Sequence, residues 1–508
     1  MPLDIHDLPD DPELLKQMLA QQGRAFDELK ANYHSLLEQF RLAQQRQFGK
    51  SSEAHPGQGE LFDEADAEDT TDAQSEPEVE AISYTRSKPK RKPLPAELPR
   101  EQVVLDLADE DKFCDCCASE LHQIGQDTSE KLEFIPAQLK VIETIRPKYA
   151  CRHCEQHNES VEVKQAPPAK SVIPKGIATP SLLSQIVTSK YQYGLPLYRQ
   201  EAMFKQYGID LSRKTMSDWM MRSADALRPL YERLRQELLN EPILQADETT
   251  LQVVKKDKST CYMWLYCSGA DSPTEHGPLN IVLYDYQNSR AGQCPVKFLD
   301  GFSSYLQVDG YAGYEQTAAT LVGCWAHARR KFIEAKKVQP KGKTGKADMA
   351  INHIQKLYAI EASIKDQTPD FKRAARQERA KPQLQVFRQW LEKSAVHAPP
   401  KSALGKAISY CLNQWHKLER YVDDGELNID NNRAERAIKP FVIGRKNWLF
   451  SNTSNGAQGS ATLYSIVETA KANGLVPYDY LTHLFDRLPH FEPDADLTEL
   501  LPWNVQIP

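Results

Sequence analysis

Between Ile243 and Trp325 the hydrophobic period changes from that of a helix to that of a sheet, and no other stretch constrains the fold of these 508 residues so closely. Strands are predicted at Ile243 to Val254, Cys261 to Cys267 and Leu279 to Tyr286. A helix around Val296 to Leu299 follows, then a strand at Tyr305 to Tyr311 and another at Leu321 to Trp325. Three strands, a helix and further strands demand a mixed sheet with helices packed on its faces. At about one domain per 150 residues, the whole chain should hold three or four units, of which this sheet is one.

Acids stand at two telling places in the block. Asp247 lies within the first strand and Asp309 at the end of the fourth. This order of elements is that of a ribonuclease-H-like core, in which the two strands are neighbours, so both carboxylates are expected at one edge. Strand alternation points Asp247 and Glu248 to opposite faces, so only one can share a site with Asp309; Asp247 is the expected one, with Asp285 in reserve. A third acid, Glu435, sits among Arg433, Arg436, Lys439, Arg445 and Lys446 on what reads as a short helix, begun at Asp430 or Asn431 and broken by Pro440. Asp430 is expected to cap it. A carboxylate among cations suits a divalent ion held beside a polyanion. The plainer alternative is a solvated helix face with an i,i+4 pair, and the two upstream acids weigh against it.

Before Glu435, Arg329 and Arg330 fall in a basic helix start after the fifth strand, and the sequence from about Asp348 to Tyr421 is helical throughout. The expected layout is a sheet domain over 241–337 and 423–455, an all-helical insertion over 338–422 and a C-terminal helical element over 456–508.

The N-terminal half reads as four pieces. Leu15, Leu19, Phe26, Leu29, Tyr33, Leu36, Phe40 and Ala43 step by threes and fours with Gln22 interrupting the seam, a coiled-coil pattern that predicts a dimerisation helix over 10–48; packing against the chain's own surface is the alternative. Residues 49–98 read as a disordered tether, acidic at first and then basic from Arg86 to Pro95. Over 99–172, Cys114, Cys117, Cys151 and Cys154 form two C-x2-C knuckles, whose four thiolates would complete a closed tetrahedral zinc site in a ribbon-like module. Cys116, beside Cys117, leaves the register of the first knuckle open. Strands are expected there at Leu132 to Pro136 and Val141 to Ala150. Helices over 173–240 (Ser181 to Tyr193, Leu197 to Tyr207, Ser212 to Ser223, then Ala224 to Leu239) suggest a helix-turn-helix whose recognition helix offers Arg213 and Lys214 to DNA.

Charge supports a nucleic-acid partner once its distribution is considered. Eleven acids and no Lys or Arg fall between Ser51 and Thr85, so the net charge of −7 becomes +4 for the remainder. No apolar run is long enough to span a bilayer, and the N-terminus lacks the order of a signal peptide, which predicts a cytoplasmic protein. Ten cysteines in such a chain point to thiols or metal ligands rather than disulfides.

Taken together, the zipper, the paired knuckles, the helix-turn-helix, Asp247-Glu248-Thr249, Asp309-Gly310-Tyr311-Ala312-Gly313-Tyr314 and Asp430-Asn431-Asn432-x2-Glu435-Arg436 closely resemble the DDE transposases of the insertion-sequence-66 family. The similarity continues through Ile443 to Phe450 and a C-terminal piece around Asn473-Gly474-Leu475. It implies a bacterial, nucleoid-associated enzyme with Asp247, Asp309 and Glu435 as catalytic triad, holding Mg2+ or Mn2+, two ions in all. Cleavage at the element's ends and strand transfer into target DNA would follow, with small accessory proteins of the same element as further partners. Cys324 and His327 resemble the C-x2-H element found between the second and third acids of many such enzymes. Two rival readings are a non-catalytic zinc-containing DNA-binding regulator and a structure-selective nuclease on the same fold.

Overall fold

The computed structural model describes residues 11–48, 100–102, 128–129, 131, 138–150, 163–255, 260–270, 272–273, 277–338, 345–492 and 494–507. Two compact units divide the chain: Met1–Ser51 with Arg146–Pro508, and Ser52–Ile145. Among the described residues of the second unit, none lies in a helix or strand. The tether, the strand expected at Leu132 to Pro136 and all four knuckle cysteines fall outside the described residues. Of the strand expected from Val141 to Ala150, only Lys148–Ala150 (β1) is paired, antiparallel to Val163–Gln165 (β2). Val141, Ile142 and Ile145 are exposed, so no burial favours extending it.

In the first unit, α1 (Pro12–Phe48) is a continuous helix whose seam residues Leu19, Phe26, Leu29, Tyr33, Leu36 and Phe40 are all exposed. Near its end, Glu38 accepts the Ala403 N–H at 3.1 Å and Arg41 donates to the Val338 carbonyl at 3.3 Å. After β2 come α2 (Pro180–Tyr191), started by the Thr179 hydroxyl, α3 (Leu197–Gln206) and α4 (Arg213–Asn240), started by Ser212, which accepts the Thr215 N–H at 3.2 Å. The expected break at Ser223 is absent, and α4 runs on as one 28-residue helix. Its apolar stripe, Met216, Trp219, Met220, Leu227, Leu230, Leu234 and Leu238, is continuous and buried, and Pro229 is carried on the exposed side of the same helix.

The sheet contains β3 (Ile243–Gln252), β4 (Thr260–Cys267), β5 (Val282–Gln287), β6 (Tyr305–Val308) and β7 (Thr320–Gly323), with α5 (Gln293–Phe298) between β5 and β6. Its spatial order is β5-β4-β3-β6-β7; β3, β4 and β5 are antiparallel neighbours, while β6 and β7 run parallel to β3. The edge at β5 is covered by α13 (Ser454–Ala472). There Thr469 accepts the Val282 N–H and donates back to its carbonyl, and Ser465 accepts the Tyr284 N–H at 2.8 Å. Two hydroxyls thus satisfy main-chain groups that would otherwise invite another strand. α14 (Pro477–Arg487) completes this layer, and one apolar core joins α2–α4, the sheet and the C-terminal helices.

Beyond β7, a second apolar core gathers α6 (Trp325–Lys337), α7 (Lys346–Ser363), α9 (Lys381–Ala395), α10 (Ala403–Asn413) and α11 (Trp415–Leu418), with the short α8 (Pro369–Ala375) leading into α9. Trp325, Trp415, Tyr421, Phe332 and Phe387 are its largest members, and the Trp325 indole donates to the Leu418 carbonyl at 2.8 Å. The chain then returns to the sheet through α12 (Asn432–Trp448). Pro440 does not break this helix. Its missing hydrogen bond costs about 3 kcal/mol, and burial of Ile438 and Phe441, roughly 2 kcal/mol each, offsets that.

Candidate metal-dependent active site

Register places the two strand acids together. β3 and β6 pair in parallel with Gln245 opposite Gln307, so Asp247 and Asp309 stand level two residues further on. A buried amide ladder fixes that register: Gln245 donates to Gln307 at 3.1 Å, and Gln307 donates to the Asn428 carbonyl at 2.7 Å. Gly310 follows Asp309 where a side chain has no room, since an added Cβ would lie 2.6 Å from the Tyr410 ring. The Tyr311 N–H donates to Asp309 Oδ1 at 2.8 Å and orients it.

Glu435 is brought toward the same two strands by the start of α12. Asn431, almost fully buried, donates to the carbonyl of Ala246, next to Asp247, at 2.8 Å. Its N–H donates to the Cys324 sulfur at 3.2 Å, and Trp325 N–H donates to the Ile429 carbonyl at 3.1 Å. Asn431 holds the N-cap position without a side-chain cap bond, while Asp430 just before it accepts the Asn432 N–H at 3.2 Å and the Tyr358 hydroxyl, also at 3.2 Å. Further along, Arg445 donates to the Thr250 carbonyl, and Ser451 N–H donates to that of Gln252, so α12 is tied to β3 along its length.

Electrostatics mark the cluster. Burial, and then the charges of Glu248, Asp309 and Glu435, push the Asp247 carboxyl up to about 7, against the lowering effect of the Glu248 N–H that it accepts. Glu248 is otherwise engaged: Arg290 Nε donates to it at 2.8 Å and the Tyr314 hydroxyl at 2.6 Å, and its side chain is 2% exposed. Arg290 in turn stacks on Tyr311, 3.9 Å from the ring centre. Asp285 is buried on the edge strand β5, where Gln287 holds it, opposite Trp264 and two strands away from β3. Arg290 was not foreseen from sequence, although Tyr311 and Tyr314 belong to the run that drew attention to Asp309.

Around Glu435, His327 Nδ1 lies 3.5 Å from Oε1 and Arg330 3.5 Å from Oε2. Cys324, His327 and Glu435 offer ligand atoms within 4.8 Å of one another. His327 is held below the usual imidazole range chiefly by burial, against the opposing charge of Glu435. Of the expected phosphate contacts, Arg329, Arg436 and Lys439 are half-buried, while Arg330 and Lys446 are exposed, as are Arg213 and Lys214 on α4. Arg433 is a correction. It is 7% exposed and belongs to the inward face of α12 with Ala434, Ala437 and Phe441, where its charge acts on the buried Glu468. Arg445 braces β3, as described above.

Oxygen donors from three acids, one with a buried atom that lacks a hydrogen-bond partner (Glu435 Oε1), suit a hard divalent cation. A sequence model described as "Transposase IS66 family" matches residues 175–459, more than half of the chain and the whole of this site. The chain belongs to the IS66 transposase family. Its zinc-finger binding domain matches 111–155, a span that holds all four knuckle cysteines, and its C-terminal element matches 465–503. A further model, "Transposase C of IS166 homeodomain", matches 35–103. Among relatives from Sinorhizobium fredii (strain NBRC 101917 / NGR234), y4jD is 36% identical over 81% of both chains and y4hP 33% identical over 83% of this chain and 78% of its own. A third, y4qI, is 32% identical over 100% of this chain and 99% of its own. No helix among the described residues of this IS66 family member is long and apolar enough to cross a membrane.

Proposed function

We propose that the chain is a DDE transposase whose sheet is a ribonuclease-H-like catalytic fold, with Asp247, Asp309 and Glu435 as the triad and the helices between β7 and α12 as an insertion. The observation that carries this reading is geometric: Gln245 pairs with Gln307 two residues before Asp247 and Asp309, and Asn431, four residues before Glu435, donates to the Ala246 carbonyl next to Asp247. Such a cluster is unfavourable by itself and is relieved by a cation. Mg2+ or Mn2+, as a pair of ions, would supply an activated water or DNA 3′-hydroxyl and stabilise the leaving oxygen.

The protein's own part is placement. The Gln245–Gln307 ladder and Asn431 would hold the three acids together beside the paired strands β3 and β6, and Arg290 with Tyr314 keeps Glu248 out of competition. Arg329, Arg330, Arg436, Lys439 and Lys446 would bind phosphates nearby, and Arg213 and Lys214 would meet DNA from the exposed start of α4. The four knuckle cysteines would hold one structural Zn2+. Self-association through α1 and work at the bacterial nucleoid in the cytoplasm complete the reading; accessory proteins of the same element are its further partners.

The test uses DNA bearing the element's ends. Mg2+-dependent nicking and strand transfer are expected from the intact chain. Asp309→Asn and Glu435→Gln should each abolish both while leaving end binding in place. Normal cleavage by either variant removes that residue from the triad.

A further inference from the structure

Cys324 and His327 are not needed by the hard-ion site, yet they share Glu435 with it. Cys324 closes β7 and starts α6; His327 lies in the first turn of that helix; Glu435 lies in the first turn of α12. His327 Nδ1 and Glu435 Oε1 are both buried, neither has a hydrogen-bond partner, and they face each other at 3.5 Å. That is too long for a good hydrogen bond. It does match the separation of two ligands on a tetrahedral zinc ion, about 3.3 to 3.8 Å for bonds of 2.0–2.3 Å. The third corner is the Cys324 sulfur, within 4.8 Å of a ligand atom of His327 and of one of Glu435, and accepting the Asn431 N–H at 3.2 Å. Main-chain donors of this kind stabilise a coordinated thiolate, and three protein ligands would leave the fourth position of a tetrahedral ion to water.

We propose that Cys324, His327 and Glu435 form a second, soft-ion site that takes Zn2+ in preference to Mg2+ and, by engaging Glu435, switches off the metal-dependent reaction. Sulfur and imidazole discriminate against Mg2+, which favours oxygen ligands, and favour Zn2+ or Co2+. Burial keeps the metal-free thiol protonated, so uptake of one ion releases one proton to solvent. The inhibitory half of the proposal rests on Glu435 being a catalytic acid; the binding half does not.

The experiment therefore has two arms. Co2+ is added to the full-length protein with its zinc content measured before and after. Uptake of one Co2+ per chain without loss of zinc is expected, with a near-ultraviolet sulfur-to-cobalt absorption that is lost in Cys324→Ser and altered in His327→Gln. That variant leaves the buried sulfur in place and guards against a misfolded serine variant. Absence of the band, a band explained by released zinc, or an equal band in Cys324→Ser overturns the site. In the second arm, Zn2+ is titrated into the Mg2+-dependent nicking reaction, with each variant's zinc-free rate as its own reference. The inhibitory concentration should rise by at least about tenfold in Cys324→Ser, the loss that even an outer-shell change brings. Equal inhibition of both proteins overturns the regulatory claim. A protein that shows the cobalt band but never nicks DNA refutes the transposase reading and leaves the soft-ion site standing.

Discussion

Asp247→Asn separates what the site needs from what the fold prefers. Moving a carboxyl from 3.8 to about 7 places a penalty of about 4 kcal/mol on its ionised form. Relaxation and water entry should reduce this to about 2–4 kcal/mol. The folded-state value is raised, so Asp247 keeps its proton in the folded chain at pH values where the unfolded chain has lost it. Its contribution to stability is therefore full below about pH 4 and is lost as pH rises through about 7. Asparagine carries no charge and retains an oxygen for the Glu248 N–H. In Mg2+-free buffer at pH 8, the variant should be more stable than the wild type by about 2–4 kcal/mol, and the two should converge near pH 4. Urea unfolding of both proteins across that range measures the gap. Adding Mg2+ should narrow it, because only the wild type binds the ion well. A variant less stable than wild type at pH 8, or a gap indifferent to pH, would refute the picture of a strained acid cluster.

Other consequences follow from named contacts. Arg290→Ala leaves Glu248 buried without its cation and should destabilise the protein by about 2 kcal/mol in denaturant unfolding, the pair being partly open to solvent. Replacing both Leu29 and Leu36 by Asp on the exposed seam of α1 should shift the protein toward a monomer in light scattering with little change in unfolding midpoint. Phe387→Ala opens the second core and should cost about 3–5 kcal/mol, read by denaturant unfolding. Elemental analysis should find about one tightly held zinc per chain, lost on Cys151→Ser.

The sheet was readable because each of its strands carries its own apolar run, and strand order makes β3 and β6 neighbours; the register that levels Asp247 with Asp309 rests on the Gln245–Gln307 ladder. Helix limits were less readable for a physical reason. Pro229 and Pro440 look like breakers in isolation, but each lies in a helix whose other face is buried over several turns, and that burial outweighs one lost hydrogen bond. Arg433 could have been placed correctly: it precedes Ala437 and Phe441 at helical spacing and so must share their inward face. Arg290 could not, because nothing local to it announces a partner 42 positions away.

The long helical excursion leaves the sheet at Cys324 and comes back at Asn431, and those two residues are bonded to each other. An excursion pinned at its base behaves like a side room behind a single doorway. Whatever its length, Glu435 is delivered to the same spot, so trimming or enlarging α8 and its flanking turns should be tolerated far better than any change at Trp325, Ile429 or Asn431, where the doorframe itself is built.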